Sequence, residues 1–330
     1  MKMPQAAETE KTMYYFGIDL GGTNIAAGLV DENLNLIAKT STPTLVGRPT
    51  DEIAMDMANL CKKLAQENNI PLSEIEACGI ASPGTANSDT GIVEFSNNIP
   101  MLNYPMVDKI REYLGIQKVY LDNDANAAAL GEVLAGSAKG AKSAVMVTLG
   151  TGVGGGIVID GKIFSGFNHA GAEIGHTVIE ADGRPCNCGR KGCWETYSSA
   201  TGLIRMTKEK MLETKDTVLW DMCESIDKVS GKSAFLAMRK YGDKAATEVC
   251  EMYIRYLAIG ITNVMNVFQP EVITIGGGVC NEGEPLFAPL REQVYRDNFA
   301  RNSAEHSKIV RATLGNDAGI IGGAALCIGK

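Results

Sequence analysis

Two stretches of this chain open alike, and that repeat limits the fold more than any other feature of the sequence. YYFGIDL at 14–20 runs into Gly21-Gly22, then IAAGLV at 25–30, a turn at DEN and LIAKTS at 36–41. SAVMVTLG at 143–150 runs into a second glycine turn, then GGIVID at 155–160 and GKIF at 161–164. Short apolar strands joined by tight turns pair antiparallel as a meander. Setting Asp19-Leu20-Gly21 over Thr148-Leu149-Gly150 brings Asp31 over Asp160 without a gap. Two unrelated hairpins could match this well, but a repeated opening suggests two similarly built domains facing each other.

Between the two openings the pattern alternates. A helix is expected over 50–69, with Ile53, Met57, Leu60 and Leu64 on one face, Thr50 as N-cap and Pro71 beyond its end. Strand 75–81, a loop and hairpin to Asn97, helix 105–114, strand 117–121 and helix 124–136 follow. After the second opening come a long helix at 244–267, strand 271–278, helix 285–298, strand 308–314 and a small-residue helix at 317–328. Three antiparallel strands followed by alternating helix and strand make an α/β fold, a mixed sheet with helices on both faces. The 330 residues suffice for two domains of ~150 each. No Pro/Ser-rich linker separates the halves, so they should meet at a hinge.

The N-terminal MKMPQAAETEKTM is polar, has no apolar signal region, and reads as a disordered leader over 1–13. No apolar run approaches the ~18 residues of a membrane span, and the expected location is cytoplasmic. A formal charge of -8 argues against nucleic acid and anionic membranes as partners. It does not argue against a nucleotide, because backbone N–H groups in a glycine loop bind phosphate without net charge.

Glycine runs end three strands: Asp19-Leu20-Gly21-Gly22-Thr23-Asn24, Gly150-Thr151-Gly152-Val153-Gly154-Gly155-Gly156, and Gly276-Gly277-Gly278. Gly21 and Gly22 would turn the backbone with positive φ and approach a bulky anion. Thr23 and Asn24 offer side-chain donors, and Asp19 is placed to hold Mg²⁺ through water. Any one of these turns could merely close a hairpin. None fits a P-loop or a dinucleotide fingerprint, and together the three suggest a phosphate-bearing ligand.

These motifs resemble the phosphate-1, phosphate-2 and adenosine motifs of the actin-like ATPase superfamily. More narrowly, from Tyr14 to the C-terminus, the chain resembles the ROK family of bacterial sugar kinases and repressors. The resemblance implies two ribonuclease-H-like domains with ATP in the cleft between them, held at Asp19, Gly21, Gly22, Thr23, Asn24, Thr151, Gly152, Gly277 and Gly278. On that basis a small domain should take 14–127 plus 316–330, and a large one 128–315.

Leu121-Asp122-Asn123-Asp124-Ala125-Asn126 passes from a strand into an alanine-rich helix. Asp122 or Asn123 can cap it, leaving Asp124 in the first turn, where the helix dipole favours a charged carboxylate. Alone, Asp124 could be an ordinary first-turn residue. A carboxylate kept ionised near a phosphoryl donor can accept a hydroxyl proton, and the resemblance assigns Asp124 as the catalytic base.

Nine cysteines in a chain of this kind are not a disulfide framework. Cys61, Cys78, Cys223, Cys250, Cys280 and Cys327 lie scattered and read as buried small hydrophobes. Cys186, Cys188 and Cys193 cluster, with nine residues between His176 and the first of them. One imidazole and three thiolates make a closed tetrahedral set for one structural Zn²⁺, and Gly189 and Gly192 permit the turns. The other reading is a loop of free thiols or a reactive dithiol, for which C-x-C is a poor spacing. The segment E-x-G-H-x9-C-x-C-G-x2-G-C-x-E, spanning 173–195, is similar to the ROK signature at every position.

From composition alone Glu173 and Glu195 would be solvated glutamates. The resemblance implies that they bind the sugar together with His176, Asn98, Asn123 and Asp124. CNCGRKGCWETYSSATGL is most similar to the glucokinase branch, which implies ATP-dependent phosphorylation of a hexose, glucose first, at its 6-hydroxyl. N-acetylmannosamine, fructose or allose remain alternative acceptors and polyphosphate an alternative donor. A sugar-responsive repressor of the same family would need a DNA-binding module, for which about 13 residues before the first strand are too few. A homodimer or homotetramer is expected by resemblance alone. His169 and His306 lie outside this segment and read as ordinary surface or loop residues.

Overall fold

The first strand, β1 (Tyr14–Leu20), is apolar on both faces and therefore belongs inside a sheet. A computed structural model, which describes residues 12–328, places it there. β2 (Asn24–Asp31) and β3 (Leu36–Pro43) flank it on one side as an antiparallel meander, and β4 (Ile75–Ser82) pairs with it in parallel on the other. β3 alternates half-buried and exposed residues, as an edge strand should. α1 (Thr50–Glu67) buries Ile53, Met57, Leu60 and Leu64, each worth about 1.5–3 kcal/mol when fully removed from water. Its N-cap is Pro49, not the expected Thr50, and no side chain caps it.

A small three-stranded sheet of β5 (Thr85–Asn87), β6 (Ile92–Ser96) and β7 (Met101–Tyr104) comes next, then α2 (Met106–Leu114) and β8 (Val119–Asn123). β8 completes a five-stranded sheet of order β3-β2-β1-β4-β8. α3 (Asp124–Ala135) follows without an intervening loop.

The second half repeats the plan. β9 (Ala144–Leu149), β10 (Val153–Ile159) and β11 (Lys162–Ile163) form the meander. Four helices with no counterpart in the first half come next: α4 (Glu195–Ser198), α5 (Ala200–Glu213), α6 (Leu219–Cys223) and α7 (Ser233–Tyr241). Then α8 (Lys244–Phe268), β12 (Val272–Gly276), α9 (Glu284–Asp297), β13 (Lys308–Arg311) and α10 (Ala318–Ala325) complete the chain. The sheet order β11-β10-β9-β12-β13 carries the same parallel and antiparallel pairings as the first. The core between β9, β10, β12, α5, α8 and α9 includes the fully buried Trp194, Phe235 and Tyr253.

By contacts the chain divides into two units, Met1–Asp124 with Gly319–Lys330, and Ala125–Ala318. The crossings fall three residues before and three after the boundaries expected from the sequence, because Ala125 and Ala129 of α3 pack on β10 of the second unit. Apart from Thr12 and Met13, the expected leader over 1–13 lies outside the described residues. Strand pairing also corrects the overlay of the two openings. Asp19 pairs with Ala26, seven residues on, whereas Thr148 pairs with Gly154, six on. The second turn is one residue shorter, so Asp31 corresponds to Ile159 and not Asp160. Strand 271–278 is also shorter than expected: β12 stops at Gly276 and a 3-10 turn takes Gly278–Glu282. Among the described residues no helix is long and apolar enough to cross a membrane.

Candidate active site and metal centre

In the first unit the parallel strands β1, β4 and β8 end on the same edge of the sheet, the edge at which open α/β sheets bind ligands. Asp19 sits at the end of β1, and Asn123 and Asp124 at the end of β8 and the start of α3. The two aspartates are electrically coupled. Burial, and after it the negative charge of Asp124, pushes the Asp19 carboxyl up to about 6. Two carboxylates close enough to oppose each other's ionisation make a good seat for a divalent cation. Part of the burial comes from α10: a Cβ at Gly319 would overlap the Asp19 carboxylate.

The glycine turn beside Asp19 is tight for a different reason than expected. Neither Gly21 nor Gly22 has positive φ. Gly21 is required because a Cβ there would lie 2.8 Å from the Asn24 carbonyl oxygen, whose partner is the Gly21 N–H at 3.0 Å. Thr23 and Asn24 present exposed side chains beyond it. Thr44, which the sequence reading missed, clamps the turn: its hydroxyl donates to Gly21 O at 2.6 Å and its N–H to Thr23 O at 2.9 Å. Nothing in the local pattern STPT signals that role. Asn98 lies next to Gly22, where a glycine Cβ would be 3.8 Å from that of Asn98. Asn123 donates through Nδ2 to Gly84 O at 3.1 Å. The first unit thus gathers Asp19, Gly21, Gly22, Thr23, Asn24, Asn98, Asn123 and Asp124 around one sheet edge and its flanking turns.

In the second unit the ligand atoms of His176, Cys186, Cys188 and Cys193 all lie within 4.8 Å of one another. His176 Nδ1 stands 3.6 Å from Cys186 Sγ, and Cys188 Sγ 3.6 Å from Cys193 Sγ. Gly189 and Gly192 both have positive φ, as a knuckle of this kind demands. Cys186 N–H donates to Arg190 O at 2.8 Å, and Gly192 N–H to Arg184 O at 2.8 Å. Burial pushes the Cys186 thiol up to about 12, while the Arg190 backbone N–H holds the Cys188 thiol below its usual value. Three sulfurs and one imidazole nitrogen at such distances fit a tetrahedral soft ion and leave no ligand position open. The six remaining cysteines are buried.

Trp194 anchors this knot. It is fully buried, donates to Tyr256 O at 3.1 Å, and lies so close to α8 that a Cβ at Gly260 would overlap its ring. The flanking Cys193 and Glu195 are fixed by it. Glu195 accepts the Val153 N–H at 3.1 Å through Oε2 and places Oε1 3.6 Å from Cys186 Sγ. A Cβ at Gly152 would overlap Oε2. The glutamate therefore ties the His/Cys cluster to the turn carrying Thr151 and Gly152. Glu173, exposed, reaches to 4.0 Å from His176 Nε2, the nitrogen on the far side of the ring from Cys186. Gly277 and Gly278 are exposed beyond the end of β12, beside β9; a Cβ at Gly277 would overlap Leu149 O. Of the other histidines, His306 packs on the Tyr295 ring at 5.6 Å between centroids.

The model of the ROK family matches residues 15–330. The chain belongs to the ROK family. Among its ROK relatives, a glucokinase of Thermotoga maritima is 36% identical over 311 residues, covering 94% of this chain and 96% of that protein. An N-acetyl-D-glucosamine kinase of Vibrio cholerae is 30% identical, covering 95% and 99%. Among solved structures, a ROK family glucokinase from Streptomyces griseus in complex with glucose and AMPPNP matches with TM-score 0.79 at 32% identity, over 95% of this chain and 98% of that one. The fold is that of the ROK sugar kinases, the actin-like ATPase architecture of mixed sheets flanked by helices.

Proposed function

We propose that this ROK protein is an ATP-dependent hexose kinase that phosphorylates glucose at the 6-hydroxyl. The observation that carries the reading is Glu195, held between the four-ligand knot and the Gly152–Val153 turn. One side chain thereby joins the elements suited to a sugar and to a nucleotide. Glucose as acceptor is supported by the glucokinases to which the chain is similar.

Asp124, exposed at the first turn of α3, takes the proton of the attacking hydroxyl. Asn98 and Asn123 orient the sugar, Glu173 and Glu195 accept its hydroxyls, and His176, bound to the metal through Nδ1, donates through its Nε2–H. The backbone of Gly21, Gly22, Thr151 and Gly152 and the side chains of Thr23 and Asn24 hold phosphates, while Gly277 and Gly278 leave room for the nucleoside. Asp19 would hold magnesium through water, an ion that supplies charge neutralisation on the phosphates. Zinc on His176, Cys186, Cys188 and Cys193 supplies rigidity, so that Glu173 and Glu195 meet the sugar with fixed geometry.

A coupled ADP-release assay offering glucose, mannose, fructose, N-acetylglucosamine and N-acetylmannosamine separately tests the reading. Glucose should lead the next sugar by about tenfold or more in kcat/KM. A lead for either N-acetyl sugar would reassign the acceptor. No turnover on any of them by protein with full zinc content would sink the kinase reading.

A further inference from the structure

Glu132, in the last turn of α3, is fully buried. Two features of its surroundings disfavour a negative charge: water is excluded, and the carbonyl end of a helix is itself negative. The carboxylate is instead enclosed by donors. Oε2 accepts the Ser137 N–H at 2.6 Å, the Ser137 hydroxyl at 2.8 Å and the Thr313 hydroxyl at 3.4 Å. Oε1 accepts the N–H groups of Thr313 and Leu314, each at 2.9 Å. The Ser137 hydroxyl also meets that of Thr274, buried in β12, at 2.7 Å. Gly136 is held to glycine by the same group, because a Cβ there would overlap Oε2.

These partners sit on the two segments by which the chain passes between its units. α3 starts at Asp124, the last residue of the first unit before the crossing, and Thr313-Leu314 lead to the return at Ala318–Gly319. Just past that return, Gly319 backs on the Asp19 carboxylate. A buried apolar residue would serve stability as well or better. A carboxylate gripping two consecutive backbone N–H groups fixes the position of that backbone, which apolar packing does not.

We propose that Glu132 is a positioning residue. It locks the two crossings to each other inside the second unit, so that Asp124 at the start of α3 and Asp19, against whose carboxylate Gly319 packs, keep the separation that phosphoryl transfer requires. The role deepens the kinase reading and rests on it.

The test compares wild type with Glu132→Gln, which keeps the size but turns an amide toward N–H donors, and with Ser137→Ala. In Glu132→Gln, with zinc content unchanged, kcat on glucose should fall about 10- to 100-fold while KM for glucose moves less than about threefold. Amide exchange should quicken by about tenfold both at 313–319 and, remotely, at 124–127. Ser137→Ala should show the same pattern at a loss of about threefold in kcat. A folded Glu132→Gln with wild-type kcat, or with exchange altered at 313–314 alone, overturns the proposal. If Glu132→Gln does not fold, Ser137→Ala decides, and unaltered kcat and exchange at 124–127 there overturn it. Wild-type protein inactive on every hexose would instead fail the kinase reading, and the exchange comparison would still judge the clamp.

Discussion

The two glycine hairpins, β1–β2 and β9–β10, hold the same place in sheets of the same strand order, yet the sequence fills them differently. Gly28 pairs with Gly17 in the first and Gly156 with Met146 in the second, so Gly28 and Gly156 are equivalent positions. Each faces a small-residue helix at the chain crossings: a Cβ at Gly28 would overlap the side chain of Ile320 in α10, and one at Gly156 the Ala125 carbonyl of α3. The scaffold is therefore repeated. The chemistry is not, because Asp19 in β1 stands where β9 has Thr148. The first unit supplies ionisable oxygen, in Asp19 and Asp124, and the second supplies a His/Cys cluster and a carboxylate tied to a backbone N–H. On the proposed reading, a duplicated scaffold would carry proton transfer in one copy and substrate positioning in the other.

The largest test of that division is Asp124→Asn. If proton acceptance belongs to the first unit alone, kcat should fall by roughly 10²–10⁴, with zinc content and glucose binding retained. Stopped-flow ADP release and equilibrium dialysis would check this, and undiminished turnover would return the base to some other residue.

Next comes the second unit's share. Cys193→Ser should lower bound zinc from one per chain to none and raise KM for glucose about 100-fold, by releasing Glu195 from the Val153 N–H. ATP affinity measured without sugar should change much less. Equal losses for both ligands would show that the knot supports the whole unit and not the sugar side of it.

Much of this comparison was legible in the sequence, for identifiable reasons. Strands such as YYFGIDL announce themselves by apolar continuity, and α1 by its three- and four-residue spacing, so most elements fall within a few residues of their expected limits. The His/Cys spacing and the Asn123-Asp124 junction are local in sequence and could be read as such. What escaped depends on partners distant in sequence. Thr44 matters through Gly21, Glu132 through Thr313, and Trp194 through Tyr256 and Gly260, and none of these pairings leaves a periodic trace. Of the helices over 195–241, which were not expected, α4 and α6 are too short to show an amphipathic repeat, whereas α5 and α7 are as long as α9 and α2, so length alone does not explain their omission. The expectation of positive φ at Gly21 and Gly22 failed because glycine serves close approach as well as left-handed backbone, and sequence does not separate the two.

The equivalence of Gly28 and Gly156 makes a matched prediction about stability. Alanine at either position overpacks a helix against a strand and should cost about 1–3 kcal/mol in urea unfolding. The larger loss is expected at Gly156, where the added Cβ meets the Ala125 carbonyl of the backbone, and the smaller at Gly28, where it meets side-chain methyls of Ile320 and Leu36 that can give way. If Gly156→Ala were neutral while Gly28→Ala were costly, α3 would not pack against β10 as closely as the backbone contact at Gly156 implies.

The smallest expected effect bears most directly on why β1 carries a charge where β9 carries a hydroxyl. With its carboxyl pushed up to about 6 in the folded chain, Asp19 binds its proton more tightly when folded than when unfolded. Its favourable contribution is fully present below the unfolded value near 3.8 and is lost as pH rises through about 6. At pH 7.5, without magnesium or nucleotide, Asp19→Asn should therefore be more stable than wild type by roughly 1–2 kcal/mol, after allowance for partial solvent screening. The gain should shrink through pH 4 and vanish below about pH 3, where the carboxyl is protonated in both states. Because the charge of Asp124 is the second cause of the shift, the gain should also shrink in an Asp124→Asn background. Magnesium and ATP should invert the order by stabilising wild type more than Asp19→Asn. Thermal melts of the four proteins across this pH range, with and without ligand, would measure all of this. A stability difference independent of pH would mean that Asp19 is held by packing alone and that the two hairpins differ less in chemistry than their sequences do.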